Sequence, residues 1–173
     1  MEAARFSVEA PATSSPRGPV TVPTLVRAPA VPGAHRIEVR AMRDSDIPAV
    51  LALVRPISEA AFLEWEDAPL LRRHLATNGP FTFVAECGGA LVGAIIAGSV
   101  GVRGTISHVA TAPAYRRRGV ASALVCQTIA GFRAYGLRRI FLFTQDRNGP
   151  ARRFWARCGF AETSAESTWE TDL

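Results

Sequence analysis

The chain has 173 residues and a formal net charge of +5, from 20 basic and 15 acidic side chains. That length supports one domain with a core of its own, and no apolar run approaches the roughly 18 residues of a bilayer-spanning helix. Every basic residue is arginine, and the arginines are scattered without a groove-reading motif or an aromatic-rich basic strand. The charge therefore reads as solvated surface, and neither nucleic acid nor membrane is expected as a partner. Cys87, Cys126 and Cys158 are an odd count without metal-ligand spacing, which points to no metal site and to reduced thiols in a cytoplasmic protein.

Residues 1–36 carry Pro11, Pro16, Pro19, Pro23, Pro29 and Pro32 among Ala, Ser, Thr and Val. No period persists there, so they read as a flexible leader, with residues 37–173 as the domain proper. The leader lacks a secretory apolar region, and Glu2 and Glu9 argue against a transit peptide. From Ile37, "IEVRAM" alternates as a strand. Asp44 or Ser45 is expected to cap a helix through "DIPAVLALV", with Pro48 in its first turn. A second helix is expected over roughly 57–76, broken or kinked at Pro69. "FTFVAECGGALVGAIIAGSV" reads as strand, Gly88-Gly89 turn, strand, and "TISHVAT" closes the meander. A helix over about 117–135 shows one apolar face through Ala121, Val125, Ile129 and Phe132 and stops at Gly136. "RRIFLFT" reads as a buried strand, "GPARRFWARC" as a short helix, and the tail as two short strands. The order βααβββαβαββ describes an α+β domain built around a strand–helix–strand crossover.

At the head of that crossover, "APAYRRRGVASALV" sets Arg116, Arg117 and Arg118 against Gly119 where the helix begins. The first turn of a helix offers unpaired N–H groups and the positive end of its dipole, a ready anion site. Gly119 has no Cβ to keep an anion from the backbone, and Ala121 is the next small residue on the inner turn. The expected ligand is a phosphate or pyrophosphate. The spacing is neither a P-loop nor the three-glycine dinucleotide fingerprint.

The segment "HVATAPAYRRRGVASALV" resembles motif A of the GNAT superfamily of N-acetyltransferases, Gln/Arg-x-x-Gly-x-Gly/Ala. "IFLFTQDRNGPARRFWARCGF" is similar to a second family block, with Asn148, Ala151, Phe154, Trp155, Gly159 and Phe160 in register. The resemblance covers about residues 37–173. It implies a GNAT-like fold, a mixed and mostly antiparallel sheet flanked by helices. It also implies acetyl-CoA as acyl donor. Backbone groups of Val109, Ala110 and Thr111 would pair with the pantetheine arm. The turn at Arg116, with amides of Arg117, Arg118, Gly119, Val120, Ala121 and Ser122, would hold the pyrophosphate. Asn148, Ala151 and Phe154 would line the cofactor from the neighbouring loop and helix, although Phe154 reads equally as core.

Relatives often place a Tyr as general acid where this chain has Trp155, whose indole donates a hydrogen bond but is no acid near neutral pH. Some relatives carry a Glu base at the position of Ile106, which cannot act. His108, two residues on, is expected on the same face by the period of two, as a base or as a structural imidazole. Glu64, Trp65, Glu66 and Asp67 fall where the family walls its acceptor, and they read equally as a solvated helix face. Cys158, with apolar flanks, reads as a buried thiol. The expected activity is acetyl transfer to a primary amine of a small molecule or, second, a protein or peptide N-terminus. A non-catalytic acyl-CoA-binding or regulatory module is the alternative, and a homodimer is compatible with either.

Overall fold

A computed structural model describes residues 36–56 and 67–163. Alternation between apolar and polar residues sets β1 (Ile37–Ala41), which pairs antiparallel with β2 (Phe83–Cys87). β2 turns through Gly88-Gly89 into β3 (Ala90–Val100). Both glycines are left-handed, at φ +59° and +80°, as a tight two-residue hairpin turn demands. β3 in turn pairs with β4 (Arg103–Thr111), and β4 with a short parallel β5 (Ile140–Phe141), so the sheet order is β1-β2-β3-β4-β5. The parallel step needs a crossover, which α3 (Val120–Ala134) supplies. Helices α1 (Ile47–Val54) and α2 (Ala68–Asn78) lie between β1 and β2 in sequence, and α4 (Gly149–Arg157) follows β5.

The sheet separates two cores. On one face Phe81, Ala85, Ile95, Ala97 and Ile106 pack under α3. On the other, α1 and α2 set Ile47, Val50, Leu71 and Leu75 against Val84, Ala94, Ile96 and Ala110. The buried stripe of α3 runs through Val120, Leu124, Val125, Ile129 and Phe132. Ala121, expected on that stripe, is only half-buried, because the helix starts at Val120 and turns Val120 inward instead.

The other departures are local. Neither Asp44 nor Ser45 caps α1; a 3₁₀ turn (Asp44–Asp46) precedes it, and Asp46 turns its carboxylate back to accept the Arg43 amide at 2.7 Å. Pro69 starts α2 rather than breaking it, because the first turn of a helix has no use for that N–H. The expected helix over 57–66 lies outside the described residues, as do the leader through residue 35 and the tail from residue 164. Residues 160–163 form no strand. The stretch expected as a buried strand over 138–144 narrows to Ile140–Phe141, and Phe143 is exposed. β5 is a strand only where β4 lies alongside it.

One charge cluster ties β1 to its neighbours. Arg40 donates to both carboxylate oxygens of Asp46, at 2.7 and 2.8 Å, and from Nε to Glu86 at 3.0 Å. Its hydrogen bond, opposed by burial, holds the Asp46 carboxyl below its ordinary range. The folded state thus binds that proton less readily than the unfolded chain. Its stabilisation is complete above the unfolded pKa of roughly 4 and is lost as pH falls through the lower folded value. Asp46→Asn should therefore lower stability by about 2 kcal/mol at neutral pH. The gap to wild type should close on acidification, and urea unfolding midpoints across pH measure both.

Candidate active site

β4 has different neighbours on its two edges. Along β3 it is paired from Val100↔Arg103 to Gly93↔Thr111. Along β5 it is paired only at Gly104↔Ile140 and Thr105↔Phe141. Between Ile106 and Thr111 no strand lies on that second edge among the described residues. An edge of this kind can take an extended chain as a further strand. The hydroxyl of Thr111, at the end of this edge, is buried with no hydrogen-bond partner among the described residues.

The β3–β4 register slips once. Ile96 faces His108 but Ala97 faces Ile106, so Ser107 is an extra residue, a bulge in β4. Directly opposed residues share a face of the sheet. Ala97 and Ile106 both lie in the α3 core, whereas Ile96 lies in the α1–α2 core. His108 is thus on the face opposite Ile106, contrary to the period-of-two expectation, because the inserted residue reverses the alternation. It is 2% exposed. Val109 returns to the α3 side and Ala110 to the α1–α2 side.

Beyond Thr111 the chain makes a 3₁₀ turn (Pro113–Tyr115) and runs through the three arginines into α3. Arg116 is extended, Arg117 is left-handed at φ +63°, and Gly119 is left-handed at φ +84°. Gly119 caps α3 instead of beginning it, and the first helical bond runs from the Ala123 amide to Gly119 O at 2.9 Å. The amides of Val120, Ala121 and Ser122 therefore have no preceding turn to bond. Left-handed residues just before them curve the backbone into a concavity lined by N–H groups, a form that receives anions. A Cβ built on Gly119 would meet no atom within 4 Å, so the space in front of the turn is open. The side chains of Arg116, Arg117 and Arg118 are exposed around it, with the Arg118 guanidinium 5.4 Å from the centre of the Tyr115 ring. Open space, helix dipole and arginine charge together fit a pyrophosphate.

The α4 residues divide by role. Asn148 Oδ1 accepts the Ala151 amide at 3.1 Å and caps the helix, so both residues have a structural task beside any cofactor contact. Phe154, Trp155 and Phe160 stack edge to face, at 5.0 and 5.1 Å between ring centres, and pack onto the α3 core. Burial, with Cys126 nearby, pushes the Cys158 thiol up, which suits a packed thiol and not an acyl carrier. Glu64, Trp65 and Glu66 lie outside the described residues, and Asp67 is exposed at the head of α2. The bulge at Ser107 and the left-handed Arg117 had no signature in residue type; the Thr111 hydroxyl could have been noticed as the polar end of an apolar strand. Among the described residues no group of three or more His, Cys, Asp or Glu is placed to hold a metal ion, and no helix is long and apolar enough to cross a membrane.

Comparison with known proteins adds to this geometry. The acetyltransferase (GNAT) family model matches residues 47–160. An acetyltransferase of Pectobacterium atrosepticum is 29% identical over 119 residues, spanning 65% of this chain and 79% of that protein. A Mycobacterium tuberculosis protein solved in complex with CoA and NLQ superposes with a TM-score of 0.62 at 30% identity, over 78% of this chain and 76% of its own. The structure of AAC(6')-Iy in complex with the bisubstrate analog CoA-S-monomethyl-acetylneamine has a TM-score of 0.66 at 17% identity, over 80% and 99% of the two chains.

The left-handed Arg117 generates a stability test. A side chain with a Cβ costs roughly 1 kcal/mol in this conformation relative to glycine. Arg117→Gly should therefore raise the melting temperature by a few degrees while weakening anion binding. A lower melting temperature would show that the Arg117 side chain stabilises the turn.

Proposed function

Because the chain belongs to the acetyltransferase (GNAT) family, we propose that it moves an acetyl group from acetyl-CoA to a primary amine of a small molecule by direct attack. A protein or peptide N-terminus is the second acceptor class. The observation that carries this reading is the left-handed turn Arg117–Gly119 at the head of α3, at the end of a β4 edge with no strand beside it among the described residues. Acetyl-CoA supplies an activated thioester. The amides from Arg117 to Ser122 would hold its pyrophosphate, and the backbone of Val109, Ala110 and Thr111 would take its extended arm as a further strand. Asn148, Ala151 and Phe154 would close the site from α4.

His108 is the imidazole of β4 and the candidate proton acceptor. Buried at 2% exposure, it would act on a group already bound and not on bulk solvent. Its face carries α1 and α2, which flank the segment proposed to wall the acceptor with Glu64 and Trp65. Trp155 cannot supply a proton to the leaving thiolate, so that proton comes from another group or from water, or is not needed before release. The same Trp155, packed between Phe154 and Phe160, favours one second reading, an acyl-CoA-binding module without transfer. Thiol release from acetyl-CoA across a panel of amines separates the two. We further propose a cytoplasmic enzyme whose residues 1–36 stand apart from the domain.

Gly119→Glu should abolish acetyl-CoA binding in calorimetry while the protein stays folded. The new carboxylate would occupy the open space in front of the α3 amides, and unchanged affinity would remove this turn from the site. His108→Ala should lower the transfer rate by about 10²–10⁴-fold, as expected for a lost general base, with little change in acetyl-CoA affinity. The loss should shrink as pH rises, because the acceptor amine then deprotonates without help. A rate defect constant across pH, with a lower melting temperature, would identify His108 as structural.

A further inference from the structure

α2 and the residue before β2 reach across the sheet to hold a short piece of β3 by its backbone. Thr82 is fully buried. Its hydroxyl donates to Ala97 O at 2.9 Å and accepts the Ala97 amide at 3.3 Å. β2 itself begins one residue later, with Phe83↔Ile95, so a side chain here supplies the rung that the ladder does not. His74 Nε2 lies 3.0 Å from the same carbonyl. Burial holds that imidazole below its usual range, hence neutral, and the contact assigns its proton to Nε2. Its Nδ1 then faces the Asn78 amide nitrogen at 3.4 Å, while Asn78 Oδ1 accepts the Ser99 amide at 3.1 Å. Between Ala97 and Ser99 stands Gly98, where a Cβ would come within 2.9 Å of the Asn78 side chain and 3.1 Å of His74. The absence of a side chain at Gly98 lets α2 approach this closely.

The place that is held matters. Ala97, Gly98 and Ser99 oppose Ile106, Thr105 and Gly104. Gly104 and Thr105 are the residues at which β4 still pairs with β5, and the register slip lies immediately beyond, between Ile96 and Ala97. Holding β3 on the paired side of the slip confines the extra residue to Ser107. A bulge that moved along the strand would reverse the face of every β4 residue between its old and new positions, so a shift toward Thr111 would re-aim the edge that begins at Val109.

We propose that Thr82, His74 and Asn78 are positioning residues that fix the site of the β4 bulge, and through it the ligand-facing edge from Val109 to Thr111. This inference rests on the acetyl-CoA reading above. The test compares two ligands on wild type, Thr82→Val and Thr82→Ser: acetyl-CoA, and 3′-phosphoadenosine 5′-diphosphate, which lacks the pantetheine arm and needs only the α3 turn. Calorimetry is run well below each variant's melting temperature. Thr82→Val keeps the shape and removes the hydroxyl. It should weaken acetyl-CoA about tenfold, the loss of one buried hydrogen-bonded rung, and leave the nucleotide fragment within about twofold. Thr82→Ser should restore acetyl-CoA affinity. If Thr82→Val does not fold, Asn78→Ala carries the same comparison. Equal losses for both ligands, or unchanged acetyl-CoA affinity, would overturn the positioning role while leaving the family reading intact. Failure of the wild type to bind either ligand would overturn the acetyl-CoA reading itself.

Discussion

Backbone N–H and C=O groups inside a fold must find partners, and among the described residues β4 is paired along its length on one edge only. β3 supplies that pairing, but β5 leaves after Thr105. The remaining edge points at the region between β4 and the start of α3, and the rest of the domain is arranged around it. The crossover through α3 brings a helix N-terminus to the end of that edge. The two cores clamp the sheet from both faces.

Charge does two different jobs in this chain. The Arg40 cluster is partly buried, two-pronged onto Asp46, and ties β1 to the turn before α1 and to β2. Its geometry is what gives it structural worth. Exposed pairs such as Arg72 with Asp44, at 3.2 Å, contribute little. The arginines at 116–118 are exposed, and one of them is held in a left-handed conformation that costs free energy. Left-handed backbone ahead of a helix N-terminus, with open space and exposed positive charge beside it, is a form able to receive an anion.

The family assignment and the local chemistry meet at α4. The match over residues 47–160 places the chain in the acetyltransferase family, and two structures it superposes on were solved with CoA or a CoA-based analog. Trp155 is the point where this chain departs from the pattern it resembles. In an aromatic stack with Phe154 and Phe160, it ties α4 to the α3 core. The position therefore does packing work here.

Much of this was legible in the residues themselves. Alternation marked β1, the Gly88-Gly89 pair marked the β2–β3 hairpin, and the apolar face through Val125, Ile129 and Phe132 marked α3, because each depends on neighbours close in sequence. Glycine conformation, helix dipole and the period of two are local properties. What the sequence could not decide was the bulge at Ser107, and with it the face of His108. No residue type announces an inserted position; it exists only as a mismatch between β4 and β3, strands brought together by folding. The parting of β4 from β5, the shortness of β5, and the grip of α2 side chains on Ala97 and Ser99 are of the same kind. Local sequence determined most of the elements that form. The tertiary structure alone decided where β4 parts from β5 and which face of the sheet each β4 side chain takes, because those depend on register between segments far apart in the chain.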